Sequence, residues 1–571
     1  MDSLAIAAPQ RKFVAADLKI TSWSDIEGYF KELNSRQISS EDDLLKWLAD
    51  RSELESVIQE DLGWRYIHMT CDTTNKEYAA EFNVFVSDIE PKIAPENNKL
   101  NLKLLACSFT ENLKTSAYKN YLQSVKMQVD LFREENIPLI AELQQKQQQY
   151  GVIAGAQTVV VDGKEITMQQ AGVYLKSPDR SKREQVYFLT SERRLKDKEK
   201  LDELFAELVV IRHRIAVNAG FKNYRDYMFA AMCRFDYTVQ DCENFHASIK
   251  DEILPVCNQM DVLRKKELGY EVLKPWDMDV DVSGKPSLKP FSNADDLVAK
   301  TINCFNTIDP ELAECIQLLK SLNRLDLDSR VGKAPGGYNY PLYETGVPFI
   351  FMNSSGLLRD LVTMLHEGGH AVHSVLTHKL GFMEFKSTPS EVAELASMSM
   401  ELFTMEHWNI FFDDADDLKR AKREHLESLL EILPWIALVD KFQHWIYLNT
   451  GCTADERNKK FAELFAEFGS TVIDRTGLGS ITENTWKKQL HIFEVPFYYI
   501  EYGMAQLGAI ALWKNYKNNP LKTIAQYKAA LSLGYTKSIP EIYAAAGIKF
   551  DFSKENIKSL AQFVQGELNS L

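Results

Sequence analysis

The sequence predicts a mainly α-helical protein, and two observations support this fold class. Apolar residues recur at helical spacing in segments rich in Leu, Ala, Glu, Lys and Gln, such as residues 22–36 and 120–150. The helical pattern continues beyond Gly356 nearly to the end of the sequence. The 571 residues, of which 45% are hydrophobic, are enough to bury a large core.

A few segments depart from this helical pattern. Residues 158–167 carry β-branched side chains around Asp162-Gly163, a dipeptide suited to a two-residue hairpin turn, and predict a small β-hairpin. Residues 347–352 are an apolar run of strand length. Residues 274–291, where Pro and Gly recur, predict a long loop or a seam between two lobes.

The composition excludes several functional classes. Asp and Glu (81) outnumber Lys and Arg (66), which gives a formal net charge of −15, and no long basic run is present. We therefore expect no nucleic-acid partner and no binding to an anionic membrane surface. No window approaches the ~18–20 apolar residues that span a bilayer. The eight cysteines lack CxxC spacing and the N-terminal residues lack a signal-peptide pattern, so we expect a soluble protein of the reducing cytoplasm.

Residues 361–376 read LVTMLHEGGHAVHSVL and contain His366, Glu367 and His370 in the pattern H-E-x-x-H. Positions i and i+4 share a helix face, so both imidazoles can bind one Zn²⁺. Zinc lowers the pKa of a water molecule toward ~7, and a neighbouring carboxylate can take its proton as it attacks a carbonyl, the role expected for Glu367. Roughly 0.02 matches to H-E-x-x-H are expected by chance in a sequence of this length and composition. The apolar flanks also predict a buried helix, in which histidines without a partner would be costly.

Other residues of this helix carry weaker signals. Gly368 and Gly369 each cost about 1 kcal/mol in a helix interior, which predicts a close approach of substrate or of another backbone. His373 lies seven residues after His366, and we interpret it as a core or supporting residue because a fourth ligand would close the water position. Asp360 could orient a ligand imidazole or cap the helix.

Zinc sites of this pattern commonly take a Glu from a second helix, here residues 387–402. Thr388 is a suitable N-cap, Pro389 fits the first helical position, and Glu391 would complete a capping box. Glu394, one turn further and surrounded by apolar residues, has no such explanation. We expect Glu394 to be the third ligand, with Glu391 as the alternative.

Residues 491–513 read HIFEVPFYYIEYGMAQLGAIALW. Pro496 can start a helix on which Tyr498, Tyr499 and Tyr502 fall within one turn. A phenol with a pKa of ~10 stays protonated at neutral pH, so its O–H can donate to an oxyanion. Aromatic residues at helical spacing are more often core residues, and the spacing alone leaves both interpretations open.

Together these segments resemble the oligoendopeptidase F branch of the thimet oligopeptidase family of zinc metallopeptidases. The resemblance is carried by HEGGHAVHS, the Glu of VAELAS, the approach PFIFMNSSGLLRDLVTMLHE and HIFEVPFYYIEYG. It implies a two-lobed helical metallopeptidase with a deep central channel and a small β element near the active site. It also implies an N-terminal helical region, residues 1–195, and a catalytic zinc-peptidase domain, residues 196–571, whose lobes need not be contiguous in sequence.

The resemblance also implies roles for individual residues. Its zinc ligands match His366, His370 and Glu394, which would hold one Zn²⁺ per chain, and its general base matches Glu367. The substrate-binding histidine of the family matches His491, and its catalytic tyrosine pair matches Tyr499 with Tyr502. Tyr498 is the alternative to Tyr499, because the spacing from His491 differs by about one residue between branches, and is otherwise assigned to substrate binding. One departure is Gly368, where the family more often has a larger apolar residue.

Two further segments are candidates for substrate binding. Gly336-Gly337-Tyr338 resembles the Gly-rich substrate loop of the family. The strand at residues 347–352, with Phe349 and Phe351, could hold an extended peptide by main-chain pairing at an exposed edge.

We therefore expect a zinc-dependent oligoendopeptidase that hydrolyses internal bonds of short peptides, as a monomer or weak homo-oligomer. One alternative is a zinc carboxypeptidase of related helical fold, which would spare peptides blocked at both termini. The other is a catalytically inactive peptide-binding protein, which would bind zinc without hydrolysis.

Overall fold

The computed structural model describes residues 10–115, 117–330, 332–334 and 336–571. Residues 1–9, which begin the N-terminal segment without a signal-peptide pattern, lie outside these ranges, as do Val331 and Pro335. The chain divides into two compact units. Unit 1 comprises Met1–Glu134, Lys289–Leu418 and Gly508–Phe550, and unit 2 comprises Glu135–Leu288, Lys419–Leu507 and Asp551–Leu571.

The first segment of unit 1 is helical. Its helices are α1 (Ser24–Ser35), α2 (Glu41–Cys71), α3 (Lys76–Val84), α4 (Glu90–Ala106) and α5 (Lys119–Leu131). A short π-helix lies at Phe85–Ile89 and a 3₁₀ helix at Ser108–Thr115. The side chain of Ser40 caps α2 by accepting from the backbone N–H of Asp43. Trp47 of α2 is fully buried and donates to the carbonyl of Leu33, so the indole satisfies its N–H inside the core.

The first segment of unit 2 contains helices and one hairpin. Its elements are α6 (Asn136–Gly155), β1 (Thr158–Val161), β2 (Lys164–Thr167), α7 (Met168–Leu175), α8 (Arg180–Leu195), α9 (Lys198–Asn218), α10 (Tyr224–Ala231), α11 (Val239–Ser248) and α12 (Leu254–Glu267), with a π-turn at Ile249–Ile253. Strands β1 and β2 pair antiparallel. Asp162 and Gly163 between them both have positive φ, as a type I′ hairpin turn requires.

The second segment of unit 1 combines helices with a small sheet. Its elements are α13 (Ala294–Ile308), α14 (Pro310–Ser321), β3 (Leu325–Asp328), β4 (Tyr338–Tyr340), β5 (Phe349–Ser354), α15 (Leu358–Thr377), α16 (Met383–Lys386) and α17 (Ser390–Met405). The sheet order is β3-β5-β4, with β5 parallel to β3 and antiparallel to β4.

The prediction that residues 347–352 form an exposed edge of a sheet is wrong. The strand itself exists as β5, but it is the central strand and pairs on both sides, through Leu325 with Ile350 and through Tyr338 with Phe351. Phe349 and Phe351 are buried. Strand β4, which follows the glycine pair, is the sheet edge on this side.

The remaining chain is helical. Its helices are α18 (Ala415–Leu448), α19 (Ala454–Phe468), α20 (Gly479–Glu483), α21 (Leu490–Glu494), α22 (Tyr499–Asn518), α23 (Pro520–Leu531), α24 (Ile539–Ala545) and α25 (Lys554–Ser570). Further 3₁₀ turns lie at Pro275–Asp277, Trp408–Ile410, Thr485–Lys488 and Gly534–Thr536. The mainly α fold with a small β element is thus confirmed. Within the described residues, none of the helices combines the length and apolar character of a membrane span.

Candidate active site

Helix α15 carries the H-E-x-x-H residues, and its N-terminus is capped by Asp360. The Oδ2 atom of Asp360 accepts hydrogen bonds from the backbone N–H groups of Ser355 and Leu357, at 2.7 and 2.9 Å. Of the two interpretations of Asp360, the structure therefore supports helix capping.

Three potential ligand atoms converge between α15 and α17 in unit 1. The Oε2 atom of Glu394 lies 3.3 Å from Nε2 of His366 and 3.7 Å from Nε2 of His370. All three atoms lie within 4.8 Å of one another. Glu394 is 4% exposed, and a buried carboxylate is costly unless a cation compensates it. Two imidazoles and one carboxylate therefore fit a divalent metal ion at this position.

The predicted capping box at the start of α17 is wrong. The helix begins at Ser390 with Pro389 as N-cap residue, and no side chain caps it. Because the helix begins one residue later than expected, Glu391 lies at the second helical position and cannot complete the box. Glu391 is buried, and its carbonyl accepts from the hydroxyl of Tyr543 at 3.0 Å.

Glu401 is a site residue that the sequence reasoning missed. Its Oε1 atom lies 2.6 Å from Nδ1 of His366, so the imidazole donates there and directs Nε2 toward Glu394. Glu401 lies seven residues after Glu394 on α17, on the same helix face two turns later. That spacing was visible in the sequence.

We expect Glu401→Gln to weaken metal binding about 10–100-fold while the protein stays folded, because the partner that fixes the His366 imidazole loses its charge. Competition with a chromophoric chelator measures the affinity. Glu406→Gln, at the end of the same helix, is the control and should bind the metal like the wild type. Equal affinity in Glu401→Gln and wild type would refute the orienting role.

The glycines of the motif allow α15 to lie against its neighbours. A Cβ atom on Gly369 would lie 2.6 Å from Cα of Ser397 and 2.8 Å from the carbonyl oxygen of Ala396, both on α17. A Cβ atom on Gly368 would lie 2.8 Å from the ring of Phe305. The predicted close approach of another backbone is confirmed, and it brings Glu394 within reach of the two histidines.

We expect Gly369→Ala to lower the free energy of unfolding by about 1–3 kcal/mol, because the added methyl group must push α17 away. The same displacement should weaken metal binding. Denaturant unfolding and metal titration measure the two effects. Gly28→Ala in α1, where a Cβ would meet nothing within 4 Å, is the control; an equal midpoint for Gly369→Ala and wild type would contradict the packing argument.

The protonation of the buried groups on α15 follows from their surroundings. Burial raises the pKa of Glu367 to about 7, so this carboxyl can both take and release a proton near neutral pH. Burial lowers the pKa of His370 to about 4, which keeps the imidazole neutral, the form that binds metals. Burial also lowers the pKa of His373 to about 3, consistent with the interpretation of His373 as a core residue.

The glycine loop and β4 also lie in unit 1. Gly336 has a φ of +101°, and its carbonyl accepts from the side chain of Asn353 at 2.9 Å. The Tyr338 ring stacks on Phe351 at 4.7 Å, so this side chain packs into the unit. The side chain of Asn339 in β4 donates to the backbone carbonyl of Glu367 at 3.3 Å and so links this strand to α15.

The expectation that Pro496 starts a helix is wrong. Helix α22 begins at Tyr499, because Phe497 has a φ of +72° and interrupts any helix from Pro496. Buried partners hold this conformation: the N–H of Phe497 donates to Oε1 of Gln443 at 2.7 Å, and its carbonyl accepts from Arg234.

The four aromatic residues predicted in this segment lie together in unit 2. The His491 ring centroid is 4.8 Å from Tyr499, 5.7 Å from Tyr502 and 6.1 Å from Tyr498. The Tyr502 ring lies 5.6 Å from Tyr499 and 5.2 Å from Tyr498. Nδ1 of His491 forms a 2.7 Å hydrogen bond with Gln489, which orients the imidazole. The cluster therefore presents an oriented imidazole among three phenols.

The sequence is similar to known peptidases. The model of peptidase family M3 matches residues 173–562, and that of the peptidase M3 N-terminal domain matches residues 13–132. An oligoendopeptidase F homolog of Lactococcus lactis subsp. lactis (strain IL1403) is 23% identical over 332 residues, 56% of this chain and 52% of the relative. Oligopeptidase PepF of Bacillus subtilis (strain 168) is 21% identical over 410 residues, 68% of this chain and 58% of the relative. The chain thus spans little more than half the length of these curated relatives.

The fold is also similar to that of a solved structure. The structure of PZ peptidase A with inhibitor 2 superimposes with a TM-score of 0.91 at 25% identity, covering 98% of this chain and 99% of that one. The predicted resemblance is confirmed by both kinds of similarity. Because the family model matches more than half of the sequence, this chain belongs to peptidase family M3, within its oligoendopeptidase F branch.

Proposed function

We propose that the chain is a zinc-dependent oligoendopeptidase that hydrolyses internal bonds of short peptides. The observation that carries this proposal is the convergence of His366, His370 and Glu394 beside the buried carboxyl of Glu367. Three protein ligands leave a position for water and substrate, which distinguishes catalytic from structural zinc sites.

Zinc at this position would supply a Lewis acid for the scissile carbonyl group and for a water molecule. The protein's own groups perform the proton transfers. Glu367 takes the proton of the attacking water and passes it to the departing amine, a role supported by its place next to the ligand His366 on the same helix. Glu401 holds the His366 imidazole in place through both steps.

The tyrosine cluster is proposed to stabilise the transition state. The match of HIFEVPFYYIEYG to the family supports Tyr499 and Tyr502 as donors to the developing oxyanion, with His491 and Tyr498 contacting the substrate. The ring contacts among these four residues are consistent with a shared role.

We expect Tyr499→Phe and Tyr502→Phe each to lower kcat about 10²–10³-fold, because each removes one hydrogen-bond donor without changing the ring. KM should change much less. Steady-state kinetics on a fluorogenic peptide separates the two constants. Tyr187→Phe, a tyrosine packed on Trp276 in unit 2, is the control. A loss of kcat in Tyr498→Phe alone would instead assign the donor to Tyr498.

Strand β4 is the proposed peptide-binding edge, in place of β5. It forms the sheet edge, and the Gly336-Gly337 pair precedes it. An extended peptide can add to such an edge by main-chain hydrogen bonds. The carbonyl of Glu367 and the side chain of Asn339 connect this edge to the general base.

Mass spectrometry of a synthetic peptide mixture tests the proposed function. We expect cleavage at internal bonds, a limit on peptide length, and loss of cleavage in the presence of a chelator. Removal of single C-terminal residues would instead indicate a carboxypeptidase. Stoichiometric zinc without any cleavage would indicate a peptide-binding protein.

The proposal also covers the cellular compartment, the partners and the oligomeric state. In the part of the chain that the structure describes, none of the eight cysteines forms a disulfide bond, which supports a reducing compartment such as the cytoplasm. Short peptides are the expected partners, and the chain is proposed to act as a monomer or weak homo-oligomer.

A further inference from the structure

Unit 2 contains a second group of potential metal ligands, which the proposed peptidase chemistry does not use. Cys242 and His246 lie four residues apart on α11, and Asp440 and His444 lie four residues apart on α18. Residues at i and i+4 share one helix face. Each helix therefore contributes a pair of metal-binding side chains to the same cluster.

The distances within this cluster suit a metal site. Cys242, Asp440 and His444 each offer one ligand atom, and these atoms lie within 4.8 Å of one another. The Nε2 atoms of His246 and His444 lie 2.8 and 3.1 Å from Oδ2 of Asp440. Ligand atoms of a tetrahedral zinc ion are about 3.3–3.8 Å apart for bonds of about 2.0–2.3 Å. Small side-chain rotations would therefore bring the three ligands to bonding distance.

The polar atoms of the cluster are incompletely satisfied. Cys242 and Asp440 are fully buried and His444 is 6% exposed. Among the described residues, Nδ1 of His444 and Oδ1 of Asp440 lack a hydrogen-bond partner, while Nε2 of His444 faces Oδ2 of Asp440. A buried carboxylate is normally paired or bound to a metal, and buried unsatisfied groups in native proteins are uncommon. A cation at this point would satisfy both residues.

We propose that Cys242, Asp440 and His444 bind a second zinc ion in unit 2, and that His246 orients Asp440 through its 2.8 Å hydrogen bond. Cys242 binds as a thiolate and releases its proton to solvent. One thiolate and one carboxylate neutralise the two positive charges of Zn²⁺, so the buried site carries no net charge. Thiolate, imidazole and carboxylate are all zinc ligands.

The position of the cluster indicates a structural role. His444 follows Gln443, which holds the N–H of Phe497. The His444 ring also lies 5.4 Å from the Phe497 ring. An ion bound to His444 would thus stabilise the turn from which α22 and the tyrosine cluster begin.

Cobalt substitution tests this site without interference from unit 1. A thiolate bound to Co²⁺ produces a charge-transfer band in the near ultraviolet, and the His366, His370 and Glu394 site has no thiolate. We expect the full-length wild type to bind two zinc ions per chain and the cobalt form to show this band. Glu394→Gln should keep the band and one metal ion.

Variants of two buried cysteines assign the band. Cys242→Ser should lose the band and one zinc ion, whereas Cys257→Ser, a similarly buried cysteine on α12, should keep both. If Cys242→Ser does not fold, His444→Gln replaces it with the same expectation. A folded wild type that binds one zinc ion and shows no thiolate band overturns the proposal, and so does a band that persists in a folded Cys242→Ser protein.

Discussion

Glu367→Gln is expected to lower the rate of peptide hydrolysis roughly 10²–10⁴-fold while the metal content stays at the wild-type level. The amide has nearly the shape of the carboxyl but cannot take a proton from water. Its neighbours His366 and His370 keep their positions on α15, so metal binding should persist. Fluorogenic peptide assays measure the rate, and elemental analysis of the same sample measures the metal.

This variant separates the general base from the metal ligands. If a folded, metal-loaded Glu367→Gln protein retained a tenth of the wild-type rate, Glu367 would not be the general base. Loss of the metal together with the activity would show that Glu367 acts as a ligand or supports one.

Glu394→Gln is expected to lose the metal of unit 1 and, with it, peptidase activity at limiting zinc. The loss of affinity should exceed the ~10–100-fold typical of residues that only orient a ligand, because the neutral amide replaces the carboxylate whose Oε2 atom faces the Nε2 atoms of both imidazoles. Isothermal titration of the metal-free protein with zinc measures this affinity.

Glu391→Gln is the matched control for this experiment. Glu391 is equally buried and lies on the same helix, one turn before Glu394. It was the alternative ligand on sequence grounds, and it should bind zinc like the wild type. Weakened binding in Glu391→Gln with normal binding in Glu394→Gln would exchange the two assignments.

Much of the candidate metal site could be predicted from the sequence because its determinants are local. His366 and His370 lie one turn apart on a helix whose apolar flanks were evident. Gly368 and Gly369 were unfavourable choices for an isolated helix, and the structure explains them by contacts with Phe305 and α17. The mainly α fold followed from helical periodicity in the same way.

The errors have long-range causes. The central position of β5 in its sheet could not be predicted, because its partners β3 and β4 are set by tertiary pairing. The turn at Phe497 depends on Gln443 and Arg234, which lie far away in sequence. The start of α17 differs by one residue from the prediction: local rules favour Thr388 as the N-cap residue, but the structure has Pro389 there, with no side-chain cap.

We propose that this chain cuts internal peptide bonds with a metal held by His366, His370 and Glu394. The most direct test measures cleavage of one short peptide, blocked at both termini, by chelator-treated protein before and after zinc is added back. We predict no cleavage by the metal-free protein, and two internal fragments of complementary mass once zinc is restored. Cleavage that continues at an unchanged rate in the metal-free protein, or an intact peptide after zinc is restored to a folded protein, would contradict the claim.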